Sequence, residues 1–102
     1  MLPAEAPLQS SLTLTVTDLP VAGTAVQLPA THDGAGYLLL QGHPNNTGDV
    51  YVGTSTVTNA AGALCGIRLT PGGESLVLRL DNGDKAWAVG DVNGDDIIVL
   101  GN

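Results

Sequence analysis

Turn-forming residues interrupt this chain about every 8–12 positions, and the stretches between them alternate apolar with polar. That spacing leaves room for strands of about five residues, and no window repeats its apolar residues with the ~3.6-residue period of an amphipathic helix. Pro71-Gly72-Gly73 turns the chain into Ser75 to Leu80, where Leu76, Leu78 and Leu80 share one face and Val77 and Arg79 the other. His43 to Thr47 likewise turns it into Asp49 to Gly53, with Val50 and Val52 on one side. Asp81-Asn82-Gly83-Asp84 reads as a tight turn, because Asn-Gly accepts positive φ at little cost. A chain punctuated in this way predicts an all-β antiparallel sandwich or barrel of eight or nine short strands.

The remaining segments fit that scheme. Ser11 to Thr17 alternates strictly, which predicts a strand with Leu12, Leu14 and Val16 inward and the threonines toward solvent. Asp18 to Gly23 breaks it. Thr24 to Leu28 is a short strand with Val26 and Leu28 on one face, stopped by Pro29, and Asp33, Gly34 and Gly36 suit a turn. Tyr37 to Gln41 is almost continuously apolar, the pattern of a central strand covered on both sides. Val57 could begin a short pairing, and Ala63 to Leu69 is a weaker strand. Lys85 to Val89 carries Trp87 and Val89 on one face. Asp91 to Asp95 turns the chain, and Ile97 to Leu100 closes it as a buried strand.

At 102 residues this is a single domain, read as an extended N-terminal arm over residues 1–8 and a sandwich over 9–102. With no Phe, one Trp and two Tyr, its core must be built from Leu, Val, Ile and Ala. Fourteen glycines add backbone entropy to be lost, so association with copies of itself or with a larger surface would help. Ten carboxylates against three basic residues give a formal charge of −7. Phosphate backbones and anionic membranes would repel such a chain, and neither nucleic acid nor membrane is an expected partner. Cys65 has no partner for an internal disulfide and is expected as a small core residue. The first residues lack the basic start and apolar run of a signal peptide.

Candidate chemistry is thin. Asp91-Val92-Asn93-Gly94-Asp95-Asp96 begins like a calcium loop, but its sixth and twelfth positions are Asp96 and Asn102, not the glycine and bidentate acid such a loop needs. A polar hairpin turn accounts for it. His32, Asp33 and His43 could be combined with Ser55 or Ser75 as a triad, yet no Gly-x-Ser-x-Gly elbow positions either serine. Two histidines without a third ligand at metal spacing make no zinc site, and the glycine pairs lack the helix and lysine of a phosphate cradle. Tyr37, Tyr51 and Trp87 would suit a sugar-stacking platform, which keeps a carbohydrate-binding module as an alternative. Thr13, Thr15 and Thr17 read as the solvent face of an edge strand. The expectation is a protein that works by its surface, with no catalytic, cofactor-binding or metal residue, and not an enzyme.

Four segments in this order carry a resemblance: Thr24 to Pro29, Pro44 to Gly53, Leu69 to Ser75, and Lys85 to Asp91. Together they resemble small β-sandwich virion proteins of tailed bacteriophages, of the capsid decoration (cement) or head-fibre base type. The resemblance spans roughly residues 24–100 and transfers no catalytic residue. It implies a jelly-roll-like sandwich, often trimeric, on the exterior of the phage head, with the major capsid protein as partner and no cofactor. The arm would then supply capsid or subunit contacts through Leu2, Pro3, Pro7 and Leu8. A head-fibre base or tail adaptor is the neighbouring alternative.

Overall fold

A computed structural model describes residues 13–29, 36–60, 65–80 and 85–101. Among them the regular structure is all β, in eight strands: β1 Thr13–Leu19, β2 Val26–Gln27, β3 Gly36–Gly42, β4 Val50–Gly53, β5 Ile67–Leu69, β6 Leu76–Leu80, β7 Trp87–Gly90 and β8 Asp95–Gly101. They form two four-stranded antiparallel sheets, ordered β1-β8-β3-β6 and β2-β7-β4-β5.

The connectivity has a simple description. β4 pairs with β5, β3 with β6, β2 with β7, and β1 with β8. The chain is therefore one long antiparallel hairpin, turned between β4 and β5 and then rolled so that its arms alternate between layers. New pairings of β3 with β8 and β4 with β7 close each sheet. This is the double-sheet jelly roll, a sandwich as the turn spacing predicts and of the jelly-roll kind that the resemblance implies.

The core lies between the sheets. Leu19, Leu38, Leu40, Leu80, Ile97 and Val99 face it from the first sheet, and Val50, Val52, Leu69 and Ala88 from the second. Leu76 and Leu78 pack against its margin, so the inward set predicted for Ser75 to Leu80 is the observed one. Pro71 and Gly72 form the turn that joins β5 to β6, and Gly72 has φ +63°, a left-handed conformation that glycine adopts without strain. Its N–H donates to the Gly42 carbonyl at 3.0 Å, linking that turn to the end of β3.

Three expectations are corrected. Leu14 and Val16 face outward, 67 % and 55 % exposed, while Thr15 and Thr17 face in and are half-buried. The strand continues to Leu19, which is buried and sets the parity. Because β1 is an edge strand, its inward threonines sit at the sandwich margin, where Thr15 Oγ1 can donate to the Val99 carbonyl at 3.5 Å. β3 is central, but it is covered on one side only: Leu38 and Leu40 are buried, Tyr37 and Leu39 exposed. Cys65 is exposed rather than part of the core. It bridges Thr58 and lines a cleft of about 280 Å³ beside β4 and β5. A maleimide should therefore label Cys65 in the native protein within severalfold of its rate in denaturant; protection by orders of magnitude would show that the thiol is covered.

Candidate functional site

The pairing register assembles the outer face of the β1-β8-β3-β6 sheet from residues far apart in the chain. Leu14 lies opposite Leu100, Leu100 opposite Leu39, and Leu39 opposite Val77. One row across all four strands is thus wholly apolar. In the next row Val16 faces Ile98, and Ile98 faces Gln41. Tyr37 stands beyond the first row, opposite Arg79. Leu14, Val16, Tyr37, Leu39 and Val77 are exposed, with Ile98 and Leu100 half-buried between them.

With strands about 4.8 Å apart and same-face residues about 6.8 Å apart, this face covers roughly 400 Å² of projected sheet. The largest apolar patch on a typical monomer is about 300–600 Å² and is often functional. Charge is confined to the ends of the face. Asp18 and Asp96 face each other directly at one end, an arrangement that costs stability between neighbouring strands. Arg79 stands at the other.

Part of the second sheet's outer face is covered by the chain itself. Residues 54–60, which follow β4, fold across it and place Val57, buried, against Gly53 and Gly66. A Cβ on Gly66 would come within 2.6 Å of both Val57 Cγ2 and the Val52 carbonyl oxygen. Only glycine lets the segment approach so closely. Asn59 fastens it by donating from Nδ2 to Asp91 Oδ1 at 2.9 Å, and Val89 beneath is fully buried. No equivalent cover lies over the first sheet among the described residues.

The acidic turn between β7 and β8 is a structural knot. Asp95, 7 % exposed, accepts the Thr47 N–H at 3.2 Å on Oδ1 and the Gly48 N–H at 2.9 Å on Oδ2. Beside it Asn46 donates from Nδ2 to the Asp96 carbonyl at 2.7 Å and accepts the Asp96 N–H on Oδ1 at 2.8 Å. Gly94, at φ +82°, completes the turn. Both Asp95 oxygens are thus committed to backbone amides. Among the described residues no three His, Cys, Asp or Glu side chains gather as metal ligands.

The other candidates are dispersed. His43 uses Nδ1 to accept the Asn45 N–H at 3.1 Å, capping its own turn. Ser75 precedes β6, Ser55 lies in the segment over the second sheet, and His32 and Asp33 fall outside the described residues. Tyr37 is on the first sheet's outer face, whereas Tyr51 and Trp87 are on the second's, so the three aromatics do not share a platform. Trp87 is half-buried and shares its side of β7 with Val89, as expected from their spacing. Desolvation, followed by the nearby Asp91 and Asp49 carboxylates, holds the Tyr51 phenol above its ordinary range despite an opposing effect of Arg68. It stays a neutral hydroxyl near Asp91 Oδ2, at 3.5 Å. Leu2, Pro3, Pro7 and Leu8 also lie outside the described residues.

Strict alternation in Ser11 to Thr17 places Leu14 and Val16 in the core and so hides the apolar face. Apolar residues at both parities of Tyr37–Gln41 and Ile97–Leu100 were the available signal. Comparison with protein-family models, curated proteins and solved structures gives no match.

Proposed function

We propose that this chain is a structural docking module of a virion, a decoration protein on the outside of a tailed-phage head that reinforces contacts between capsid subunits. The observation that supports it most is the apolar outer face of the β1-β8-β3-β6 sheet, an exposed patch on an otherwise acidic protein. Burying such a face stabilises an assembly by about 25 cal/mol per Å² of apolar surface, without any chemistry. Jelly rolls serve in viral capsids and in lectins alike, and a fold alone does not choose between them. The virion assignment comes from the ordered turn and strand motifs between residues 24 and 100. In this role Leu2, Pro3, Pro7 and Leu8 would touch the shell, and the rigid sandwich would bridge neighbours.

The test is to image tailed particles produced by the genome that encodes the chain, using an antibody raised against the purified protein. Label over the head surface is the expected result. Label on the tail would move the protein to an adaptor role, and unlabelled particles containing none of the chain would end the proposal. Deleting residues 1–8 should abolish retention on heads while leaving the sandwich folded, as read by its circular dichroism.

A further inference from the structure

We infer that β1 is a docking edge whose occupant is the β1 of a second copy, the two strands pairing antiparallel about a two-fold axis at Val16. The contact is made by the rim of the sheet and not by its outer face. A sandwich of two open sheets has four edge strands, here β1, β6, β2 and β5. A bare edge invites pairing with another chain, and proteins blunt it with short strands, proline, charge or bulges. Three of these edges are blunted. β2 and β5 have two and three residues, each followed two positions on by a proline, Pro29 and Pro71, and β6 has five residues with Arg79 among them. β1 has seven residues, keeps an unbroken register with β8 from Thr13 to Leu19, and contains no proline or bulge. Its one charge, Asp18, stands next to last.

The backbone shows which groups face the open side. The Gly94 N–H, just before β8, donates to the Leu19 carbonyl at 3.0 Å, so Leu19 turns its polar backbone groups toward β8. On the far side of β8, the Asp96 carbonyl accepts the His43 N–H at 3.2 Å, so Asp96 turns away from its β1 partner Asp18. Successive residues of an antiparallel strand alternate in this respect. Thr13, Thr15, Thr17 and Leu19 therefore bond β8, whereas Leu14, Val16 and Asp18 aim N–H and C=O outward from the sheet. Among the described residues no strand pairs with them there.

Those three residues fit a copy of themselves. With the axis at Val16, Val16 meets Val16 and Leu14 meets Asp18 on either side. Each residue exchanges two hydrogen bonds with the one opposite, so every outward group of the three residues is paired. Moving the axis to Thr17 would set Leu14 against Pro20, which has no N–H to give. The side chains agree with Val16. Thr15 meets Thr17 on the inner side, a hydrogen-bonding pair, and both are half-buried at a margin that a further strand would cover. On the outer side the row Gln41-Ile98-Val16 runs on into its own copy, with two valines at the seam. The two Asp18 carboxylates stay about 14 Å apart along the strands, beyond the ~10 Å screening length of 0.1 M salt. A copy meets these conditions by symmetry, whereas a foreign strand would have to carry them in its own sequence.

The closed two-fold predicts a dimer, twice 10.3 kDa, and not the trimer that the phage resemblance implies. A few bonds at a wet edge make it weak, with a dissociation constant on the order of 100 µM. Sedimentation equilibrium of the full chain from about 5 µM to about 1 mM, with reductant present because Cys65 is exposed, should show monomer passing to dimer. Hydrogen exchange read by NMR should find the Leu14, Val16 and Asp18 amides fast at the low end and slowed about fourfold at the high end, with Thr15 and Thr17 protected throughout. Val16→Pro removes an N–H that the β8 ladder does not use, a change that edge strands accept, and should raise the dissociation constant at least about 30-fold. Should that variant fold poorly by circular dichroism, Val16→Lys sets like charges face to face at the axis and should weaken the dimer about tenfold or more. Leu39→Ala, two strands in from the edge, should leave it unchanged. A monomer throughout, a trimer, a dimer that tolerates the Val16 variants or is lost with Leu39→Ala, or edge amides already protected at the low end overturns the inference. The docking role on heads is read separately by particle labelling, and either can fail without the other.

Discussion

Replacing Asp95 with alanine should lower the unfolding free energy by about 2–4 kcal/mol, a large fraction of the stability of a domain this size. The carboxylate is almost buried and holds the Thr47 and Gly48 amides across 48 and 47 residues of chain. Removing it leaves two amide donors without their acceptor where water reaches only in part. The damage spreads because the turn before β4 is pressed onto the β7–β8 turn. A Cβ on Gly48 would come within 2.8 Å of Val92 Cγ2, so the two turns cannot shift independently. Asn46, locked to Asp96 by two reciprocal bonds, would lose its register with them. Asp95→Asn should cost roughly half as much, because one oxygen still accepts while the new NH₂ opposes the second amide. Urea unfolding followed by circular dichroism measures both, and a loss below about 1 kcal/mol for alanine would show that the knot is dispensable.

Leu39 and Leu40, adjacent in β3, should behave oppositely. Leu40 has no exposed surface and packs between the sheets. Leu40→Ala should cost about 2–5 kcal/mol, through lost transfer energy and a cavity that closely paired strands cannot collapse. Leu39, 37 % exposed on the outer face, should cost the monomer no more than about 1 kcal/mol when cut to alanine. Equal losses for the two in the monomer would mean that the outer face is covered by the chain itself.

What could be read before folding, and what could not, follows from the physics of alternation. Period two identifies two faces of a strand but does not say which is inside. Ser75 to Leu80 was legible because Arg79 marks its outer face. Ser11 to Thr17 was not, because Leu, Val and Thr are all tolerated on either side of an edge strand. The deciding residue is Leu19, beyond the predicted end, whose partner Asp95 sits at the buried start of β8. For β3 and β8, apolar residues at both parities suggest burial on both sides. They instead mean one face in the core and one left for a partner. The role of Asp95 was out of reach because its amides are contributed by a distant turn. Cys65 was expected in the core by residue type, yet it falls beside a loop over the sheet margin.

Rolling a hairpin inward has a consequence for biogenesis. Of the eight described strands β1 is made first, and its only ladder partner among them is β8, the last of the eight. Until that segment emerges, Leu14 and Val16 have no neighbour to lie against, and nascent chains on one messenger carry the same sticky ribbon. The β1–β8 ladder therefore forms only after all eight strands have been made, and a pairing so distant in sequence closes slowly. A product cut short before Asp95 lacks β8 and leaves β1 and β3 without the strand that joins them.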